Sequence, residues 1–301
     1  MRRCQLAALA AGSLVGLGSA VTAGAWAEAR AFILRRVDVP MLPFGSPEIR
    51  VLHLSDIHLM PYQLRKRRFI DWLGALEPDL VITTGDNISS AESIGPLLDS
   101  LAPLLARPGA FVFGSNDFVE PGFRNPASYL FGNSRKSAKR RSLPTWQLKD
   151  ALTEAGWAYL DNKSARLEIG GRTIDFRGTG DAHHGLDDYS AVAGPALRDA
   201  GLTIGVTHAP YRRILDAMTA DGVQLIFAGH THGGQICLPV NRAIIDNCDL
   251  PTEQASGLSI WSSEGRASWL HVSAGIGTAP TVPLRLFCRP EATLLRLVGR
   301  G

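Results

Sequence analysis

The chain has 301 residues, 45% hydrophobic and 20% charged, enough apolar material for a full-sized core and too little charge for a disordered polyelectrolyte. A formal net charge of +3 excludes wholesale wrapping of nucleic acid. Cys4, Cys237, Cys248 and Cys288 contain no CxxC pair, so they form neither a disulfide framework nor a zinc–thiolate template.

Arg2 and Arg3 precede an uncharged run from Gln5 to Ala27, rich in Ala, Gly, Leu and Val, which is long enough to cross a bilayer as a helix. Residues 1–30 therefore read as an N-terminal hydrophobic helix that makes the protein membrane-associated. The triplets Ala25-Trp26-Ala27 and Ala27-Glu28-Ala29 keep an exported form, released by signal cleavage, as the alternative. Arginines flank the run on both sides, so the side of the membrane is not specified. Residues 31–48 carry Pro40, Pro43 and Pro47 without a clean period and read as a linker. The folded domain is then 49–301.

From Ile49 onward the pattern alternates. Strands are predicted at 49–54, 80–84, 110–113, 166–169, 173–177, 202–207, 225–228 and 270–273, and helices at 67–76, 93–105, 191–200 and 211–220. That alternation implies an α/β fold with its sheets covered on their faces. Five of the apolar runs end in polar clusters: Asp56-Ile57-His58, Gly85-Asp86-Asn87, Gly114-Ser115-Asn116-Asp117, Thr207-His208 and Gly229-His230-Thr231-His232. Ligands gather beyond the carboxyl ends of strands in such folds, and carboxylates, imidazoles and amide oxygens suit Mn, Fe, Zn or Mg at a hydrolytic centre. One D-x-H or H-x-H alone is weak evidence; five strand-end clusters together point to a metal site.

In this order the clusters resemble the signature of the calcineurin-like metallophosphoesterase superfamily, and the Leu-Ser-Asp-Ile-His and Gly-His-Thr-His-Gly-Gly stretches are similar to its bacterial membrane-associated branch. The resemblance implies a two-sheet α/β/β/α sandwich and two divalent metal ions. Asp56, His58 and His232 would hold one ion, His208 and His230 the other, and Asp86 would bridge them. Such a pair activates water and clamps phosphate oxygens for in-line attack, which implies hydrolysis of phosphomono-, phosphodi- or pyrophosphate esters.

The third cluster departs from the family's Gly-Asn-His-Asp, reading Gly114-Ser115-Asn116-Asp117. Either Asn116 supplies the metal-bound amide oxygen, the favoured reading, or Ser115 ligates and Asn116 hydrogen-bonds the phosphate. An amide cannot protonate a leaving oxygen, a contribution of roughly 10²–10⁴ in rate, so good leaving groups are expected. His183 and His184, on a loop after a strand, are candidates to restore the proton, with His183 the catalytic choice; His53 reads as a core histidine. Arg124, Arg135, Lys136, Lys139, Arg140 and Arg141, interleaved with Tyr129 and Phe131, form a basic segment that suits anionic lipid headgroups. A phosphate-ester substrate that is lipid-linked is therefore expected, with the membrane met through the N-terminal segment and no stable nucleic-acid partner. The rival readings are a catalytically weakened metal-binding scaffold and a nuclease.

Overall fold

The computed structural model describes residues 18–122, 141–197, 199–239, 242–278 and 282–300. Two six-stranded sheets face each other. The first runs β1 (Ile33–Leu42), β14 (Glu291–Gly299), β2 (Ile49–Leu54), β3 (Leu80–Thr83), β4 (Gly109–Phe111) and β5 (Ala158–Tyr159). The second runs β12 (Gly257–Ser263), β13 (Arg266–Val272), β9 (Leu225–Ala228), β8 (Leu202–Val206), β7 (Arg172–Gly178) and β6 (Ser164–Ile169). β2 to β5 are parallel, as are β13, β9, β8 and β7, while β14 runs antiparallel to β2, β12 to β13 and β6 to β7.

Period-two alternation explains the layering. On β3, Leu80 and Ile82 point between the sheets, where they meet Ile204, Val206 and Phe227, while Val81 points outward. Outside the first sheet, α2 (Leu64–Leu73), α3 (Ile94–Leu105) and α5 (Thr145–Glu154) lay Ile70, Leu101 and Leu148 over it. Outside the second, α6 (Arg212–Ala220) contributes Ile214, Leu215 and Met218. The four-residue helix α4 (Ser115–Phe118) follows β4, and β10 (Cys237–Leu238) and β11 (Arg242–Ala243) form a separate two-stranded sheet. The α/β/β/α sandwich is therefore observed.

Two expectations change. The stretch read as a linker carries β1, an edge strand parallel to β14. Pro40 is tolerated there because an edge strand need not use every N–H, and the register shifts between Pro40 and Leu42. The helix expected at 191–200 is absent among its described residues; a short 3-10 turn, Tyr189–Ala191, leads instead to Gly194 at φ +137° and to Pro195, two residues that oppose helix. At the N-terminus, residues 18–28 are helical (α1), and residues 1–17 lie outside the described part. No helix among the described residues is long and apolar enough to cross a membrane, so the transmembrane reading rests on the sequence.

Candidate functional site

The loops after β2, β3, β4, β8 and β9 converge at one edge of the sandwich. Asp56, His58, Asp86, His230 and His232 all have positive φ, between 43° and 68°, and make up half of the ten such non-glycine residues described. Left-handed backbone costs roughly 1 kcal/mol or more per residue and persists where the surroundings over-determine it. Asp117, the fourth residue of the third cluster, holds the turn at Asp86. Its buried carboxylate accepts the backbone N–H groups of Asp86 (2.8 Å), Asn87 (2.7 Å), Ile88 (3.2 Å) and Gly114 (3.1 Å). Burial and nearby Asp86 push its pKa up to about 7, while these N–H groups pull the other way.

The side chains meet closely. His58 Nε2 lies 3.3 Å from His232 Nε2 and 3.4 Å from Asp86 Oδ2. His208 Nε2 lies 3.6 Å from the same Asp86 oxygen and 3.3 Å from His230 Nδ1. Asp56 Oδ1 sits 3.7 Å from His232 Nε2, buried and without a hydrogen-bond partner among the described residues. Two groups, Asp56–His58–His232 and Asp56–Asp86–His208, each bring donor atoms close enough to share an ion.

Hydrogen bonds on the outer side fix two of the imidazoles. His208 Nδ1 donates to the Thr84 carbonyl (2.7 Å) and His230 Nε2 to the Asn247 carbonyl (3.2 Å). His230 thus keeps its Nδ1 lone pair aimed inward, and His208 would free its Nε2 for a cation on losing one proton, the arrangement metal-binding histidines use. Burial drops His58 to about 4 and His230 to about 3, so both are neutral near pH 7. At His208 burial also opposes the charge, but Asp86, Asp181 and Asp56 outweigh it and raise the pKa to about 9. The floor of the site attracts positive charge. An orphaned buried carboxylate oxygen and two nitrogen pairs at 3.3 Å fit divalent cations, because two nitrogens at about 2.1 Å from a tetrahedral ion stand roughly 3.4 Å apart.

Asn116 is brought to the site, with its backbone N–H on Asp86 Oδ1 (2.8 Å) and its side-chain nitrogen on Asp86 Oδ2 (2.6 Å). His183 is brought to its rim: its ring lies 4.5 Å from that of His230, and its Nδ1 meets the Tyr211 hydroxyl at 2.9 Å. His184 turns to Asp181 Oδ2 (2.9 Å) and is half exposed. Of the basic segment only Arg141 falls among the described residues, where it pairs with Glu120; Arg124, Tyr129, Phe131, Arg135, Lys136, Lys139 and Arg140 lie outside them. Sequence reasoning passed over Arg285, whose fully buried guanidinium donates to the carbonyls of His232 (3.1 Å), Ala274 (2.6 Å) and Gly275 (3.2 Å) behind the last cluster. No local pattern marks an arginine fifty residues downstream.

The profile of the calcineurin-like phosphoesterase family matches residues 49–234, which span all five clusters. The chain belongs to that family. Proteins similar to it include the Bacillus subtilis protein YpbG, 27% identical over 96% of both chains. The Escherichia coli phosphodiesterase YaeI is 26% identical over 84% of both. A bovine transmembrane protein with metallophosphoesterase domain is 27% identical over 87% of this chain, which spans 56% of its length. The calcineurin-like phosphoesterase described here is accordingly a hydrolase of phosphate esters, with candidate metal-ligand residues at its strand ends.

Proposed function

We propose that the protein is a dinuclear metallophosphoesterase acting on phosphate esters and anhydrides with good leaving groups, presented at a membrane. The observation that carries it is Asp86 Oδ2, flanked by His58 Nε2 at 3.4 Å and by His208 Nε2 at 3.6 Å. One carboxylate oxygen between two imidazole sets is the arrangement a shared ligand needs. Asp56, His58 and His232 would hold one cation, His208 and His230 the other, and Asp86 both. Bound there, the pair would supply water activation and neutralisation of the phosphate charge.

The chain's own residues set the rest. Asn116 presents its N–H₂ to Asp86; a half turn of the amide would offer its oxygen to a cation in the same place, as the favoured ligand reading requires. His183, held by Tyr211 beside His230, is placed to donate a hydrogen bond to a phosphate oxygen. Neither residue reproduces the family's histidine. Exposed Trp26, Leu238, Ile244 and Phe287, the apolar run before residue 28 and the bovine relative's name support a lipid-linked substrate.

The test is hydrolysis by the full chain with Mn²⁺ of aryl phosphodiesters of graded leaving-group pKa, together with a lipid pyrophosphate. Rates are expected to fall steeply as the leaving group becomes more basic, and Asn116→His is expected to recover about 10²-fold on the poorest leaving group. A flat profile in the wild type would sink the leaving-group reading. No turnover by the wild type with a gain in Asn116→His would point to a metal-binding scaffold, which the Asn116–Asp86 pairing also accommodates.

A further inference from the structure

Behind Asp56, on the side away from the other candidate ligands, a thread of buried polar side chains crosses the sandwich. His271 on β13 of the second sheet meets His53 on β2 of the first, Nδ1 to Nδ1 at 2.8 Å. His53 Nε2 lies 3.0 Å from Thr84 Oγ1, Thr84 Oγ1 lies 2.6 Å from Ser55 Oγ, and Ser55 Oγ lies 2.5 Å from Asp56 Oδ2. All five residues are at most 1% exposed.

The hydrogens on this thread have one possible order. A carboxylate only accepts, so the Ser55 hydroxyl donates to Asp56. Ser55 Oγ must then accept from Thr84, and Thr84 Oγ1 must accept from His53 Nε2–H. With that nitrogen protonated and the ring neutral, His53 Nδ1 carries a lone pair and takes the proton of His271 Nδ1. Every donor therefore points towards Asp56. The backbone N–H of His230 adds a further bond to the same oxygen at 2.9 Å, which leaves Oδ1 without a hydrogen-bond partner among the described residues. Thr84 serves twice, because its carbonyl accepts from His208 Nδ1 at 2.7 Å. A Cβ on Gly229 would collide with Ser55 Oγ and Asp56 Oδ2, so the thread also needs a glycine at that position.

We infer that the His271–His53–Thr84–Ser55 thread is a positioning device, which saturates Asp56 Oδ2 so that Oδ1 alone is presented to a divalent cation. This rests on the metal-site reading above. It gives His53 more than a core-filling role, since an apolar side chain would serve for packing alone. It also makes the orientation of one candidate ligand depend on how the two sheets meet.

The experiment titrates Mn²⁺ into the metal-stripped full chain by calorimetry, with melting of the metal-free protein as a second readout. Thr84→Val keeps the shape and removes the hydroxyl; Thr84→Ser keeps the hydroxyl. The valine variant is expected to bind Mn²⁺ about 10- to 100-fold more weakly, the usual effect of removing an outer hydrogen-bond partner, and the serine variant to stay within about threefold of wild type. If the valine variant does not fold, Ser55→Ala is measured in its place with the same expectation. A folded valine variant with wild-type affinity, or valine and serine variants weakened alike, would overturn the inference, as would a loss confined to the melting temperature. Absence of Mn²⁺ binding by the wild type is a separate outcome, which would remove the metal-site reading and the thread's role with it.

Discussion

Asp86→Ala is expected to lower kcat/KM for an activated phosphodiester at least a thousandfold, about 4 kcal/mol of transition-state stabilisation. The size follows from how many groups this carboxylate serves. It stands within 3.6 Å of His58 and His208 and accepts both nitrogens of Asn116. Burial opposes its ionisation, yet His208, His58 and Asn116 outweigh that and hold its pKa below the ordinary carboxylate value. Alanine leaves two imidazole sets facing each other with no anion between them, so two dications could not lie close together without strong repulsion. Steady-state rates, metal content and a melting curve on the same preparation decide the matter. Substantial turnover in a folded Asp86→Ala variant would rule out Asp86 as the shared ligand.

The second large effect is on stability. Asp117→Ala is expected to cost about 4 kcal/mol and to lower the melting temperature by roughly 10 °C. Four backbone N–H groups converge on this one buried carboxylate, and stranding each of several buried donors costs on the order of 1–3 kcal/mol, partly relieved by local shifts. Because three of those donors belong to Asp86, Asn87 and Ile88, activity should fall along with stability. A scanning melt shows the first loss and a diester assay the second. A variant that melted like wild type would mean that the Asp86 turn is held by its neighbours alone.

The sandwich and the ligand clusters were legible because their signals are local. Val81 between Leu80 and Ile82 reads as a strand with two buried faces, and a polar residue straight after such a run reads as a site. What escaped were features set by distant partners. β1 was hidden by Pro40, since only its position at an edge, against a strand some 250 residues later, makes proline acceptable. Asp117 was visible beside Asn116, but its task of gathering N–H groups from the neighbouring loop depends on β3 and β4 lying side by side. His53 illustrates the limit most clearly. A lone histidine inside an apolar strand is ordinarily core, and nothing near it in sequence announces that His271 will complete a chain to Asp56.

The pairing of β1 with β14 also bears on the order in which the molecule can be made. Ile33 meets Glu291 and Val39 meets Leu297 in that ladder, so a strand made early waits for one made some 250 residues later. Contacts this far apart in sequence form late, because the whole intervening chain must be ordered to bring them together. Until then β1 has no partner strand among the described residues. The first sheet therefore stays open at the β14 position, between β1 and β2, until nearly all of its other strands have been made.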